Sequence, residues 1–265
     1  MIVGELGVED RFVEQEHGRF RIWSCVGEDG IPVHTRRYVV GGDIGLGTGA
    51  SNSVLVVVDC TSKEKVLEFA SPNISPQDLA KLAIKLCNLF RTETETELTP
   101  AKLIWEANGP GRTFGKEVWE QGFRNVYYRE NEKSVRGSIA DMVPGWYSTV
   151  ADKMVVLTEY RSAMLDGSFI ERSKLALDEC LEYVYDFNGG VVFSRSRSKD
   201  DPTKARENHG DRVIATALAF KLSKSKQDAI AVPKETAPKD SMGWRREQGR
   251  RDGVLAGRDT LGDGW

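Results

Sequence analysis

Three carboxylates in this chain stand where an acid needs a reason to be. Asp43 ends the β-branched run Tyr38-Val39-Val40-Gly41-Gly42-Asp43, and Glu106 ends Lys102-Leu103-Ile104-Trp105-Glu106. Asp211 opens a stretch in which the apolar stripe Ile214, Ala215, Leu218 and Leu222 extends back one turn onto the acid itself. Each has an ordinary role open to it: a turn residue ahead of glycines, a strand-end acid paired with Arg or Lys, and an acid facing the free N–H groups of a helix start. Taken together they suggest more, because an ionised carboxylate on an inward face needs a metal ion, a cationic side chain or a ring of hydrogen-bond donors. Two acids at strand ends and one at a helix start can converge on one hard divalent cation or a pair, since oxygen ligands suit Mg²⁺ and Mn²⁺. Two such ions about 3.5 to 4 Å apart would clamp both sides of a phosphodiester under in-line attack.

The elements that must position these acids are legible. Residues 38–43 and Val54 to Val58 read as a hairpin, with Gly45 to Gly49 as its turn and Asp43 planted in its first strand. A strand around Val66 to Phe69 follows, then a helix capped by Ser75 and started by Pro76, with Leu79, Leu82, Ala83, Leu86 and Leu89 on one face. Lys102–Glu106, a helix through Phe114, Val118 and Trp119, and a short strand at 125–128 make a crossover unit with parallel strands. A mixed α/β sheet results. Helices are expected over 148–165, with Val150, Met154, Leu157 and Tyr160 or Arg161 on neighbouring turns, and over 173–185, with Leu177, Leu181 and Val184 facing in. A strand at 191–193 and a last helix over 211–222 complete the pattern.

Residues 1–37 read as an N-terminal connector with one alternating stretch, Arg19-Phe20-Arg21-Ile22-Trp23. Residues 38–223 read as a single domain, and 224–265, rich in Pro, Gly and interleaved charge, as a flexible C-terminal tail. With 40% hydrophobic and 29% charged residues the composition is that of a soluble globular protein, and no apolar stretch approaches the roughly 18 to 20 residues that span a bilayer. No leader is visible at Met1. Cys25, Cys60, Cys87 and Cys180 lack metal or disulfide spacing, so a reducing cytoplasmic setting is expected. The net charge of −3, from 37 basic and 40 acidic residues, argues against a generally basic nucleic-acid coat and leaves room for a local basic groove.

Against this background the stretch from Gly18 to Lys224 resembles the nuclease domain of the large subunit of tailed-phage terminases, a member of the ribonuclease H-like superfamily. The residues that carry the resemblance are Gly18-Arg19-Phe20-Arg21-Ile22-Trp23, the strand ending in Asp43, Trp105-Glu106-Ala107-Asn108-Gly109-Pro110-Gly111, Gly145-Trp146-Tyr147-Ser148-Thr149 with Lys153, and His209-Gly210-Asp211-Arg212-Val213-Ile214-Ala215. The resemblance implies a ribonuclease H-like mixed sheet flanked by helices. It also implies a metal-dependent endonuclease that cuts concatemeric viral DNA during genome packaging. Asp43, Glu106 and Asp211 are then the catalytic residues and hold two divalent cations, Mg²⁺ or Mn²⁺, with Asp43 as the bridge.

Double-stranded DNA is the implied substrate, and a separate packaging ATPase, a portal and a small terminase subunit are the implied partners, with no membrane. The expected location is the host cytoplasm, or the bacterial cytoplasm for a prophage-encoded copy. Complete large terminases carry an ATPase, yet no G-x-x-x-x-G-K-[ST] loop occurs here, so that activity is expected from elsewhere. Candidate DNA contacts are Lys153, Arg136, and Arg195, Arg197, Lys199, Lys204 and Arg206 of one basic loop, because phosphates dominate affinity and need local cations. Nothing suggests base readout, and weak sequence selectivity is expected. His209, Asp200 and Asp201 flank this region and read as surface or loop residues. Two rivals are a sugar-kinase or actin-like ATP-binding phosphotransferase, suggested by Gly42-Asp43-Ile44-Gly45 with Gly47-Thr48, and a catalytically silent packaging scaffold. The first requires a second phosphate hairpin, and none appears downstream.

Overall fold

A computed structural model describes residues 1–7, 10–23, 26–93, 98–129, 143–185, 190–194 and 210–225. The strands β1 (Ile2–Leu6), β2 (Phe12–Glu14), β3 (Phe20–Ile22), β4 (Tyr38–Asp43), β5 (Ser53–Asp59) and β6 (Glu64–Ser71) lead into helix α1 (Pro76–Leu89). Next come the short pair β7 (Thr92–Glu93) and β8 (Leu98–Thr99), then β9 (Lys102–Trp105), α2 (Gly111–Glu120), β10 (Tyr128–Arg129) and β11 (Val143–Pro144). The remainder is α3 (Val150–Leu165), α4 (Lys174–Cys180), β12 (Tyr183–Tyr185), β13 (Val191–Phe193) and α5 (Asp211–Lys224).

Seven strands form one mixed sheet in the order β2-β1-β3-β6-β5-β4-β9. All neighbours are antiparallel except β4 and β9, which run parallel with Gly42 opposite Trp105. The expected crossover is present: Val126 bridges Leu103 of β9 in parallel after α2. Sequence reading assigned one short strand before Tyr38. The structure contains that strand as β3 and adds β1 and β2, which continue the sheet beyond β6.

Alternation along the strands divides the core in two. Val40, Leu55, Val57, Leu67, Leu103 and Trp105 point to one face, covered by α1 and α2. Val39, Val54, Val56, Val58 and Ile104 point to the other, where α5 packs with Val213, Ile214, Ala217 and Leu218, backed by Leu157 and Tyr160 of α3. The central strands are buried on both faces, which explains their near-continuous apolar runs. Helix α1 begins as expected, with the Ser75 hydroxyl accepting the Asp78 N–H and Pro76 in the first turn.

Gly41 shows how tightly α5 sits on β4. A methyl group there would run into the Ala215 carbonyl oxygen and lie 2.8 Å from the Ala219 Cβ. The glycine is the contact surface for the helix. Gly41→Ala is therefore expected to lift α5 and lower stability by about 1–3 kcal/mol, the usual cost of overpacking. An unchanged denaturation midpoint in urea would show that the helix is not seated there.

Two helices differ from expectation, one in extent and one in the side chains that face the core. The one expected over 173–185 stops at Cys180, and its chain turns into β12. Leu177, Leu181 and Val184, expected to face in, are 43%, 81% and 45% exposed, while Ala176 and Glu179 are the buried positions. The reason lies in Glu179, whose carboxylate is drawn inward by Arg212 and turns the apolar residues outward. In α3, Val156, Leu157, Tyr160 and Ala163 face the core, and Val150 and Arg161 are exposed.

Candidate metal centre

The strand faces decide where the three acids point. Val39, Gly41 and Asp43 share the α5 side of β4, and the same two-residue repeat carries Ile104 on to Glu106. The Glu106 N–H donates to the Gly42 carbonyl at 3.1 Å, so the β4–β9 pairing continues to the acid itself and sets it beside Asp43. Asp211 lies at the start of α5, one turn before Ala215, whose carbonyl rests over Gly41. Its Oδ2 accepts the Asn52 N–H at 2.8 Å, tying the helix to the β4–β5 connection. One sheet edge and one helix start thus bring together residues far apart in the chain.

Asp43 records this convergence electrostatically. Its carboxyl is raised well above the ordinary aspartate range, first by burial, then by the negative charges of Asp211 and Glu106; the Lys153 ammonium and the Ile44 N–H oppose the rise. Four of the residues singled out by sequence therefore act on one another here. Lys153 arrives through a chain of local contacts. The Asn108 carboxamide clasps Ser148, accepting its N–H at 2.8 Å and donating to its carbonyl at 3.0 Å, and this ties the Glu106 loop to the start of α3. Thr149 caps that helix through the Asp152 N–H, which sets Lys153 within its first turn.

Asp211 is relieved of ordinary capping. Gly210, left-handed at φ 74°, is the N-cap, and the first-turn N–H groups of Arg212 and Val213 donate to the Glu179 carboxylate at 2.9 and 3.3 Å. A glutamate from α4 performs the task that sequence reading had open for Asp211. The Arg212 guanidinium, fully buried, then bonds Glu179 at 2.7 Å and Glu68 at 3.0 Å. Glu68 also takes Lys65 at 2.6 Å, and Lys65 reaches Glu171, which accepts the Tyr160 hydroxyl. Burial alone would push Glu68 up, but the charges of Lys65 and Arg212 hold it down at about 2. For Glu179 burial prevails over Arg212 and pushes the carboxyl up to about 7.

Sequence reading missed three residues around the acids. Glu179 lies in α4 and reaches the start of α5. Tyr183, donating its hydroxyl to the Gly210 carbonyl at 3.2 Å, has a phenol raised by burial and then by Asp43, Glu179 and Asp211. Asn52, in the turn after Asp43, is buried beside Asp211. No spacing signal marks any of them, because each reaches the site through tertiary packing. Arg136, Arg195, Arg197, Lys199, Lys204 and Arg206, with Asp200, Asp201 and His209, lie outside the described residues.

The donor set is hard oxygen with a net negative charge, which suits Mg²⁺ or Mn²⁺. Among the described residues no three His, Cys, Asp or Glu side chains already surround one point closely enough to hold a metal. The acids act on one another electrostatically. Also among the described residues, no helix is long and apolar enough to cross a membrane.

No family model and no curated protein matches the sequence. Solved structures do match. The large terminase nuclease from thermophilic phage G20c with bound magnesium aligns at a TM-score of 0.54 and 16% identity, covering 83% of this chain and 92% of that one. The same nuclease with bound cobalt gives 0.53 and 17%, with 83% and 92% covered. The large terminase nuclease domain of Thermus phage P74-26 gives 0.51 and 16%, with 85% and 93% covered. The chain has the fold of the terminase nuclease domains, a ribonuclease H-like mixed sheet flanked by helices, as the sequence led us to expect.

Proposed function

We propose that this chain is a metal-dependent endodeoxyribonuclease, acting on double-stranded DNA in viral genome packaging. The observation that carries the proposal is the placing of Asp43 and Glu106 at adjoining ends of the paired strands β4 and β9, with Asp211 at the start of the helix seated on β4, on a fold like that of terminase nucleases. The magnesium and cobalt bound to the G20c nuclease support a divalent ion as cofactor. Asp43, Glu106 and Asp211 would hold two such ions, with Asp43 between the other two acids.

When bound, divalent cations supply Lewis acidity, lower the pKa of water and offset charge on the leaving oxygen. The chain's own residues do the placing. Asp43 and Glu106 are fixed by paired strands, and Asp211 by a helix start pinned at Asn52 and Glu179. Rigid elements hold such groups more accurately than loops do. Lys153 stands on the cationic side of the cluster and suits a phosphate oxygen of the incoming strand. Arg136 and the basic residues 195–206 would extend this contact along the backbone, giving weak sequence selectivity and strong salt dependence. A packaging ATPase, portal or small terminase subunit is the partner class that such a nuclease serves.

Supercoiled plasmid incubated with Mn²⁺ or Mg²⁺ is expected to become nicked and then linear, with no cutting in EDTA. Glu106→Gln and Asp211→Asn are each expected to slow this by about 10²-fold or more, since each removes several kcal/mol of charge stabilisation. Undiminished cutting in both variants would show that the site is misassigned. ATP turnover in place of cutting would favour the phosphotransferase, and neither activity in folded wild type would favour a silent scaffold.

A further inference from the structure

Asn52 is buried, at 1% exposure, and neither its Oδ1 nor its Nδ2 has a hydrogen-bond partner. They are the only such side-chain atoms among the described residues. An amide left unmet inside a protein is unfavourable, and native structures rarely keep one without an occupant. The place is also specific. The Asn52 backbone N–H holds Asp211, and Asp43 pairs with Val54 in the β4–β5 ladder. Two residues before Val54, the strand repeat returns to the α5 face, the face of Gly41 and, by the same repeat, of Asp43.

The occupant must be small. Both amide atoms are enclosed, which shuts out a phosphodiester and leaves a single small ion as the ligand that could meet them. Amide oxygens are ordinary ligands for hard divalent ions. A neutral oxygen also adds coordination without adding a fourth negative charge to the three acids.

We infer that Asn52 is a further ligand of the divalent-cation site, its Oδ1 contributing a neutral oxygen beside Asp211. This rests on the nuclease reading above and extends it by one residue. Titration calorimetry of the full chain with MnCl₂ alone, without DNA, tests it together with melting in EDTA. Asn52→Leu is expected to weaken Mn²⁺ binding about tenfold or more while leaving the melting temperature in EDTA unchanged or higher, because it removes two unmet polar atoms. Asn52→Asp is expected to tighten Mn²⁺ binding and lower that melting temperature.

Wild-type Mn²⁺ affinity in the leucine variant would mean that the amide meets an ordinary buried water only, and would overturn the assignment while the nuclease reading stood. A leucine variant that melts lower with unchanged Mn²⁺ affinity would do the same. If the leucine variant fails to fold, the aspartate variant decides, and unchanged affinity there overturns the inference. Wild-type protein that binds no Mn²⁺ would remove both the inference and the nuclease reading beneath it.

Discussion

Asp43→Asn is expected to abolish metal-dependent plasmid cutting, by at least about 10³-fold, and to raise the melting temperature in EDTA. Both effects have one source. Asp43 lies between two other acids, so its charge is the one most stabilised by cations and most strained without them. A 10³-fold loss corresponds to about 4 kcal/mol of transition-state stabilisation, which is within what a divalent ion supplies.

The sign of the stability effect follows from the direction of the shift. An acid raised in the folded state favours folding below its ordinary range and opposes it as pH rises through the folded value, because the native state then binds more protons than the unfolded one. Asparagine removes that opposition. The gain over wild type should grow as pH rises and should vanish below about pH 4, where aspartate is protonated in both states. Saturating Mn²⁺ should reverse the order, since an ion at 100 times its Kd stabilises a binding protein by ~2.7 kcal/mol and a non-binding variant not at all. Thermal melts at several pH values, with EDTA or Mn²⁺, check every part. Equal melting of wild type and variant at pH 7 in EDTA would mean that the acids do not interact as described.

Arg212→Met should give the largest loss of stability. The side chain is fully buried and bonds Glu68 and Glu179, so truncation leaves carboxylates in the interior without their counter-ion. Breaking such a pair costs about 3–5 kcal/mol, or roughly 6–20 °C in a domain of this size. The loss should be smaller at pH 5 than at pH 7. Glu179 already titrates at about 7 beside Arg212 and rises further without it, so mild acid neutralises the stranded group. Glu68 keeps Lys65 as a partner in either case. Adding Glu179→Leu to Arg212→Met should recover much of the stability, because an apolar replacement of both partners removes the unpaired charge. No recovery would mean that Arg212 acts by packing alone. Cutting should fall more than stability explains, since Arg212 and Glu179 together fix the first turn of α5 and so the place of Asp211.

The hairpin with Asp43, the strand before Glu106 and the helix after Asp211 were readable because each depends on local periodicity: alternation of two in strands, 3.6 in the helix, and caps such as Ser75. The extent of α4 was not readable. Its residues have helical spacing through Val184, but the pull of Arg212 on Glu179 rotates the segment and exposes Leu177 and Leu181. The strands β1 and β2 were also hidden, since short, partly exposed strands with mixed polarity carry little pattern of their own.

By itself, then, the amino-acid order determined the elements and the three acids worth attention, because hydrophobic period and chain-turning residues act over a few positions. Only the folded chain decided that Asp43 meets the charges of Glu106 and Asp211, that Glu179 relieves Asp211 at the helix start, and that the Asn52 side-chain amide is enclosed without a hydrogen-bond partner. Those facts depend on which strand face or helix meets which turn of α5, across 33 residues for Glu179 and 159 for Asn52, and contacts of that range leave no mark in local spacing.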